Sequence, residues 1–558
     1  MPSPPGRTPP TCAKERCDVI ILGAGPAGIA AARYLEEETE LSTIIVEARH
    51  RVGGRTHTSD ELGVGLPLDH GGKWIHGACP ENCAMQLLKH YEAEEDCERE
   101  TGWRRGRRTI TRVVLPGELA VAPSKASLKA LDKVFGVIKR LAHDSGDIGQ
   151  DMSLEDLLYQ EYDDCIPSDS DDDQVEPTGS HPPDQCGGTM RSDNLGHGPR
   201  NCWRRGFYRN LIKKILGESK AIVDSNKMKF HDEVMALLHL KLCQFFEGFE
   251  GSPIHELSAK HGMDGSELPG GDHNIPFGYG ELFRRLAEPL VDRRIIRFGY
   301  EVISVETASV EDNVTRNVSV TCRLEGGSEE VFQATSCIVT LPLGVLRGCL
   351  EPNGTPIFRP PLPEAVTTAV RSLGIAVMNK FELAFDMRWW PEEVGRLNIG
   401  TSLYCHTPIY HPFSMFLVES ASTTKNPQAP NVLVCYLTGE FAKQAELWSD
   451  NEIHGRCMKA LRLANFSSMK GFAKHIPDPT YVHMTRWHSD PFSKGSWTFI
   501  AKNSGLHSMK AFRDNEECMR RNIFFAGEHT CDGSRLGLDI GCAHGAWLSG
   551  EIVAKQLT

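Results

Sequence analysis

A glycine-rich segment near the N-terminus has the residue types and spacing of a dinucleotide-binding turn. The apolar run Asp18–Leu22 leads into Gly23-Ala24-Gly25-Pro26-Ala27-Gly28. Gly23 permits a tight turn, Gly25 lets the backbone approach a pyrophosphate, and Gly28 allows a helix to pack closely on a strand. The free N–H groups and partial positive charge at the start of that helix would face the phosphates. The chemistry predicted here is the binding of a dinucleotide cofactor.

A carboxylate follows at the distance that ribose recognition requires. The second apolar strand, Thr43–Val46, ends at Glu47. An acid at this place accepts hydrogen bonds from the hydroxyls of the adenosine ribose. The strand before the loop, the helix after it and this acid together support cofactor binding far better than a lone glycine motif would.

Composition and charge restrict the class of protein. The chain has 558 residues and a formal net charge of −13. This length is natural for two domains that share an interface, and the negative charge argues against a nucleic-acid partner while suiting a cationic substrate. The sequence has no apolar run long enough to span a membrane and no signal-peptide core. The C-terminal Gln556–Thr558 is not a peroxisomal address, so we expect a cytoplasmic protein.

The cysteines do not form a recognisable framework. Eighteen are scattered along the chain, as expected of reduced cytosolic thiols. His76, Cys79 and Cys83 lie close together in sequence, but no fourth ligand with suitable spacing is evident. We therefore predict no metal site.

Two further segments complete a recognisable pattern. Gly53-Gly54-Arg55 follows the ribose acid, and Phe525–Thr530 precedes Gly545–Gly550 near the C-terminus. With the first loop, they resemble the flavin-dependent amine oxidases, and the chain is similar to the polyamine oxidases of that superfamily. The resemblance covers nearly the whole chain, through the segments Asp18–Arg55, Gly72–Gly77, Phe277–Leu286, Val339–Leu346, Lys380, Trp487–Trp497 and Phe525–Gly550.

The resemblance implies an α/β fold in which a Rossmann-like FAD-binding domain is interleaved with a mixed α+β substrate-binding domain. The FAD-binding domain would comprise residues 16–72, 263–346 and 501–558. The substrate-binding domain would comprise a mainly helical part, 73–262, and residues 347–500. Residues 1–15 and an acidic, Ser/Pro/Gly-rich insertion near 163–200 are too poor in apolar residues to order themselves, and we expect both to be disordered.

The same resemblance implies which residues hold FAD. Arg55 would face the phosphates, Val302 would contact the adenine through its backbone, and Glu528 would bind the ribose or ribityl side. Trp487 would pack near the isoalloxazine. The full predicted set is Gly23, Gly25, Gly28, Glu47, Arg49, Gly54, Arg55, Gly72, Trp74, Val302, Trp487, Gly527 and Glu528. Monoamine oxidases bond their flavin to a cysteine at the position of Ser496, and because a serine cannot form that thioether, the FAD should be non-covalent.

Lys380 and His76 are the predicted catalytic residues. Lys380 lies in an apolar, alternating strand, where an unpaired lysine is costly. The resemblance places it near flavin N5, bridged through water, where it would direct water to an imine or assist reoxidation. The alternative is an edge lysine with its ammonium in water. His76 would line the substrate channel and hold or deprotonate the substrate ammonium; the alternative is a core histidine bonded to backbone.

An aromatic cage around the substrate amine is implied as well. Trp497 would form one wall, since aromatic faces attract ammonium groups. Cys542 stands where relatives place a second cage tyrosine, so the cage is half formed, and Trp74 and Cys542 join Trp497 in the predicted substrate site. Candidates to complete the cage or bind a distal amine are Tyr404, Tyr436, Asp532 and Asp539.

The implied reaction is oxidation of a small cationic amine by O₂. Hydride would pass from the carbon next to nitrogen to the flavin, oxygen would become hydrogen peroxide, and water would hydrolyse the imine to an aldehyde and a shorter amine. Spermine, spermidine and their acetyl forms are the expected substrates. The sequence does not indicate an oligomeric state.

Three other functions remain open to different degrees. An L-amino-acid oxidase or another amine oxidase of this fold would need a cationic clamp for a carboxylate, and no motif identifies one. A catalytically inactive flavin-binding scaffold is kept open by the unusual 531–542 connection. A histone demethylase is disfavoured because no long coiled-coil insertion interrupts the chain.

Overall fold

The computed structural model describes residues 15–59, 67–92, 108–114, 122–143, 151–162, 200–216, 225–242, 248–262, 268–275, 277–307, 317–401, 413–419 and 431–558. The predicted insertion near 163–200, apart from its last residue, and the predicted tail up to residue 14 lie outside these residues. Residue 15, expected to belong to the tail, already starts the first strand.

The described residues form both strands and helices, often in runs of one type. The strands are β1 Glu15–Leu22, β2 Thr43–Glu47, β3 Thr58–Ser59, β4 Leu68–Asp69, β5 Trp74–Ile75, β6 Arg108–Val114, β7 His273–Asn274, β8 Ile296–Phe298, β9 Glu301–Thr307, β10 Val318–Arg323, β11 Glu329–Val339, β12 Phe358–Arg359, β13 Gly374–Ala376, β14 Met378–Phe385, β15 Val394–Thr401, β16 Met415–Glu419, β17 Asn431–Thr438, β18 Tyr481–Met484, β19 Trp497–Phe499 and β20 Ile523–Phe525. The helices are α1 Pro26–Glu38, α2 Cys83–Glu92, α3 Lys125–His143, α4 Leu154–Glu161, α5 Arg200–Leu216, α6 Ser225–Leu242, α7 Gly248–Glu250, α8 Tyr279–Asp292, α9 Leu343–Gly348, α10 Glu364–Ser372, α11 Gly439–Ala445, α12 Asp450–Leu463, α13 Leu506–Arg513, α14 Glu516–Arg520 and α15 Ala543–Gln556.

The glycine-rich loop follows β1, which is a strand of a large mixed sheet. The strand order in this sheet is β12-β9-β10-β11-β1-β2-β8, and β20 also pairs with β11. Strands β1, β2, β8, β11 and β20 are mutually parallel where they pair. The apolar half of β1, Val19–Leu22, is buried because both faces of the sheet are covered by apolar clusters. The C-terminal ends of β1 and β2 therefore meet at one edge, where Gly23 and Glu47 lie close together.

Helices from the two ends of the chain pack against each other beside this edge. An added Cβ at Gly28 in α1 would lie 2.0 Å from the carbonyl oxygen of Gly23, and one at Gly550 in α15 would lie 2.1 Å from that of Ala27. Both positions are thus close backbone contacts that leave no room for a side chain. The C-terminal segment, predicted to return to the cofactor domain, packs on the N-terminal helix in this way.

A second mixed sheet, with the order β18-β14-β17-β16-β15-β6, carries Lys380. Strand β14 is paired on both sides, and Lys380 is only 5% exposed. The alternative of an edge lysine in water is therefore wrong. Strand β6 of this sheet comes from the region predicted to be mainly helical, and it pairs in parallel with β15.

The cofactor sheet extends beyond the predicted domain boundary at residue 346. Strand β12 pairs with β9, and Val366 and Val370 of α10 belong to the same apolar cluster as the buried side of β11. A two-residue strand has no periodicity by which a sequence could reveal it. None of the helices in the described part of the chain is long and apolar enough to cross a membrane.

The contrast between Gly28 and Gly25 gives a test of this packing. An added Cβ at Gly25 meets no atom within 4 Å, whereas one at Gly28 meets a backbone carbonyl that cannot move aside. Overpacking typically lowers the free energy of unfolding by roughly 1–3 kcal/mol, and we expect the loss for Gly28→Ala to be at or above the upper end of this range. Urea denaturation of the cofactor-free protein should show a lower midpoint for Gly28→Ala and an unchanged one for Gly25→Ala; equal midpoints would contradict the packing described.

Candidate functional site

One cavity of about 1180 Å³ collects the predicted site residues. Its wall includes the edge of the cofactor sheet at β1 and β2 and residues of β14 and β17 from the second sheet. Among the residues predicted to bind FAD, to be catalytic or to form the substrate site with Trp497, Gly28 is the one absent from the wall, in keeping with its packing role. The predicted residues that line the cavity are Gly23, Gly25, Glu47, Arg49, Gly54, Arg55, Gly72, Trp74, His76, Val302, Lys380, Trp487, Trp497, Gly527, Glu528 and Cys542.

The glycine loop forms an open cradle at the start of α1. Gly23 has a φ of +108°, which favours glycine, and Gly25 is the N-cap of a helix that no side chain caps. The space beside Gly25 is open, since a Cβ added there would meet no atom within 4 Å. A Cβ added to Gly54 would lie 3.4 Å from the Cα of Gly25. An uncapped helix N-terminus with room beside it suits the pyrophosphate of a dinucleotide.

Glu47 is fixed at the end of β2 by its own backbone surroundings. One carboxylate oxygen accepts from the Ala24 N–H at 2.8 Å and the other from the Arg49 N–H at 2.9 Å. A carboxylate has about four acceptor positions, so two remain for hydroxyl groups. The residues present therefore fit the ribose end of FAD.

Arg49 and Arg55 connect the N-terminal motif to residues far along the chain. Arg49 donates to Asp490 at 2.6 Å and to Ser493, and Arg55 donates to Glu528 at 2.9 Å. Their side chains are 14% and 22% exposed, so neither belongs to a solvated basic loop. Each guanidinium keeps further N–H donors for a cofactor phosphate, and that role remains a prediction.

Glu528 joins three segments of the site. Its carboxylate accepts from Arg55, from the Thr498 N–H and hydroxyl, and from the Gly541 N–H. Burial opposes ionisation, but Arg55 and these hydrogen bonds hold the pKa of Glu528 below its ordinary value. The carboxylate thus fixes Trp497, next to Thr498, against the segment that ends at Cys542.

Lys380 is a buried cation without a hydrogen-bonded carboxylate among the described residues. Its Nζ donates to the carbonyl oxygen of Asp69 and, at 2.7 Å, to that of Gly71. It also lies 5.7 Å from the ring centre of Tyr436, the residue directly opposite on β17. Burial lowers the pKa of Lys380 to about 8, against the opposing field of Asp69. A lysine of this kind exchanges its proton near neutral pH.

A second lysine shows the ordinary arrangement by contrast. Lys73 lies 2.7 Å from the Glu419 carboxylate, and its Nζ lies 5.4 Å from the ring centre of Trp74, which lines the cavity. Burial acts against the charge, but Glu419 and Asp69 raise the pKa of Lys73. Lys73 is thus a stably charged structural cation, and Lys380 is the one poised to titrate.

His76 lies at the cavity wall, paired with an acid. Its Nδ1 is 2.7 Å from the Asp272 carboxylate, and its side chain is 41% exposed. The hydrogen bond from His76 lowers the pKa of Asp272. The alternative of a core histidine bonded to backbone is therefore wrong, because the ring is half exposed and bonded to a carboxylate.

The predicted cage is partly assembled. Trp497 is half-buried and donates from Nε1 to the Glu250 carbonyl at 3.1 Å. Tyr436 lines the same cavity, and its hydroxyl is buried without a partner among the described residues. Burial raises the pKa of the Cys542 thiol, so that side chain is neutral in the wall. Tyr404 lies outside the described residues.

The two aspartates proposed for a distal amine differ. Asp532 is bound at both carboxylate oxygens by Arg513 and does not line the cavity, so it cannot serve as that acid. Asp539 does line the cavity, where its carboxylate lies 2.7 Å from His544 Nε2. The difference arises because the 531–542 connection folds Asp532 back toward α13.

Glu250 is the site residue that sequence reasoning missed. It lies in the three-residue helix α7 and lines the cavity beside Trp497. Burial alone raises the pKa of its carboxyl to about 8. So short a helix has no periodicity, and only the folded position of the chain shows that this acid faces the cavity.

Comparison with known proteins agrees with this geometry. Residues 26–558 match the family described as flavin containing amine oxidoreductase. Among curated relatives, polyamine oxidase 5 of Oryza sativa subsp. japonica is 26% identical over 96% of this chain and 87% of the relative. Polyamine oxidase 2 of Arabidopsis thaliana is 27% identical over 96% of this chain and 87% of the relative. Lysine-specific histone demethylase 1 of Caenorhabditis elegans is 25% identical over 98% of this chain and 71% of the relative.

Solved structures share the fold. A putrescine oxidase bound to putrescine superposes with a TM-score of 0.59 at 17% identity, covering 98% of this chain and 99% of that one. The predicted α/β architecture, with an FAD-binding and a substrate-binding domain, is confirmed, as is the FAD cofactor. The chain belongs to the flavin containing amine oxidoreductase family, and it is an FAD-dependent amine oxidase that acts on CH–NH bonds with oxygen as acceptor.

Proposed function

We propose that the protein is a polyamine oxidase that acts on spermine, spermidine or their acetyl derivatives. The observation that carries the proposal is the carboxyl group of Glu250, a partly buried residue beside Trp497 in the cavity that also contains Lys380. The polyamine oxidases among its relatives support the same substrate class.

Glu250 and the aromatic rings suit an ammonium group. The raised pKa of Glu250 means that its charge is unfavourable until a cation arrives to pair with it. The faces of Trp497 and Tyr436 attract the same cation. Asp272 and Asp539 provide further carboxylates along the wall, so a substrate with several separated amines meets several acids.

Lys380 would control the water that completes the reaction. When bound, FAD supplies the hydride acceptor and returns the electrons to oxygen. The Lys380 ammonium has three donors, and two of them are used by the carbonyls of Asp69 and Gly71. The third is left for a water molecule that attacks the carbon of the product C=N bond. Because its pKa lies near 8, Lys380 also takes up or gives a proton at little cost.

His76 would orient the amine at the wall of the cavity. The Asp272 carboxylate at its Nδ1 fixes the ring at the cavity wall. The balanced reaction converts an amine, O₂ and water into an aldehyde, a shorter amine and hydrogen peroxide.

The described cysteines are all free thiols, which supports the further proposal of a reducing, cytoplasmic compartment.

An L-amino-acid oxidase is the second candidate, and one specific observation favours it. Arg396 of β15 lines the cavity, and burial lowers its pKa. A guanidinium there is the kind of group that clamps a substrate carboxylate. Lysine-specific histone demethylases among the relatives add methylated lysine as a further amine to be tested.

A substrate panel decides among these functions. Hydrogen peroxide release is measured with spermine, spermidine, acetylspermine, tyramine, several L-amino acids and a methyl-lysine histone peptide. We expect the highest kcat/KM with a polyamine. Higher kcat/KM with an amino acid or the peptide would replace the proposal, and the absence of peroxide with all of the polyamines would also contradict it.

The FAD should be held without a covalent bond. Ser496 has no thiol, and its hydroxyl is already bonded to the backbone of Met378. Acid precipitation of the yellow protein should release all of the flavin into the supernatant, measured by its absorbance. Flavin that stays with the washed polypeptide would contradict the prediction.

Gly25→Ala should fold yet bind FAD more weakly, because its Cβ projects into the open cradle.

Replacing Lys380 should slow a late step of the reaction. Lys380→Met is close to isosteric and removes the buried charge, so the fold and the FAD content should be retained. Stopped-flow absorbance should show slower flavin reoxidation or slower imine hydrolysis, with a smaller effect on reduction by substrate. Unchanged rates for every step would remove Lys380 from the mechanism.

Replacing Glu250 should weaken binding of cationic substrates. We expect Glu250→Gln to raise KM for spermine by about tenfold or more, the scale of one lost charge-assisted contact. The exposed Glu256→Gln is the matched control and should leave KM unchanged.

The pH dependence of stability gives Glu250 an independent readout. A carboxyl whose folded pKa is about 8 instead of 4.5 binds its proton more tightly in the folded state. The resulting stabilisation is complete below pH 4.5 and is lost as the pH rises through about 8. In substrate-free protein, Glu250→Gln should therefore gain Tm relative to wild type over this interval. A constant Tm difference would show that Glu250 is not buried as described.

A further inference from the structure

A group of three potential metal ligands lies behind the cavity wall. His70, Glu382 and His483 each offer one ligand atom, and these atoms all lie within 4.8 Å of one another. His70 alone of the three lines the cavity. Neither the amine chemistry nor FAD binding uses the other two. We propose that these residues, the His-Glu-His cluster, bind a divalent transition-metal ion such as Zn²⁺.

The ligand spacing fits such an ion. Glu382 Oε2 lies 3.3 Å from His70 Nε2 and 3.1 Å from His483 Nδ1. Zinc–nitrogen and zinc–oxygen bonds of about 2.0–2.2 Å at tetrahedral angles separate neighbouring ligand atoms by roughly 3.3 Å. The two imidazole rings stack at 4.4 Å with an interplanar angle of 27°, so both nitrogens face the carboxylate from one side. Two imidazoles and a carboxylate leave one position for water.

Unused polar atoms support the assignment. His70 Nε2 and Glu382 Oε1 are buried without a hydrogen-bond partner among the described residues. The Glu382 side chain is 1% exposed, and its Oε2 lies beside the two imidazoles. A buried carboxylate needs a compensating charge, and a metal ion supplies one.

The protein also holds the ligands in place and leaves a route to them. Glu382 and His483 are directly opposite each other on β14 and β18, so the sheet sets their separation. The backbone of His70 is fixed by the Trp487 Nε1–H, which donates to its carbonyl at 3.1 Å. His483 is 30% exposed and gives the ion access from solvent. This assignment differs from the prediction of no metal site, which rested on His76, Cys79 and Cys83.

Zinc binding by the FAD-loaded, untagged protein tests the proposal. The protein is stripped with a chelator, dialysed against Zn²⁺ and analysed for zinc per chain. Thiol-bound zinc is common to all variants, so differences between variants isolate the cluster. We expect His483→Ala to hold one Zn²⁺ per chain fewer than wild type, and Glu382→Gln to show the same loss. His475→Ala, an exposed histidine elsewhere in this domain, should match wild type.

The outcomes separate a metal site from a protonated cluster. If wild type and His483→Ala bind equal zinc, an imidazolium fills the place of the ion and the proposal is wrong. If His475→Ala also held one Zn²⁺ per chain fewer than wild type, the zinc would be bound by surface histidines and the proposal would be wrong. Should Glu382→Gln fail to fold, His483→Ala still decides, because its side chain is partly exposed; its FAD absorbance and Tm confirm that it is intact.

Discussion

The site depends on one buried carboxylate that ties together segments far apart in the chain. Glu528 accepts hydrogen bonds from Arg55 in the N-terminal motif, from Thr498 beside Trp497, and from Gly541 before α15. Each donor offsets part of the cost of burying the charge, so the buried carboxylate is stabilised by the assembly of all three segments. The cofactor cradle and the aromatic wall of the substrate site are therefore formed together.

Within the cavity, charged side chains lie where water cannot fully stabilise them. Lys380 donates to two carbonyl oxygens and to no carboxylate among the described residues, and burial is the cause that shifts the pKa of the partly buried Glu250. Both groups have pKa values near 8, the lysine shifted downward and the carboxyl upward. We propose that a cationic amine pairs with Glu250 and that Lys380 exchanges a proton during the reaction. The polarity of the cavity, more than its volume, supports a polyamine substrate.

Much of this organisation was predictable from sequence. The glycine spacing and the acid at Glu47 predict a local turn whose geometry depends on nearby residues, and the structure shows that turn. Lys380 is identifiable because a lysine in an apolar strand requires an explanation. Glu250 and the His-Glu-His cluster were not predictable, because their meaning arises only when distant strands and a three-residue helix meet. Likewise, Asp532 looked available in sequence, yet Arg513 neutralises it in the fold.

We propose that the cavity recognises an amine that carries several positive charges. The most direct test is anaerobic mixing of the FAD-loaded protein with spermine or with butylamine, followed by the visible absorbance of the flavin. At equal subsaturating concentrations, the account predicts reduction by spermine at least about tenfold faster, corresponding to roughly 1.4 kcal/mol of additional binding in the transition state. Equal rates for the two amines, or faster reduction by butylamine, would contradict it.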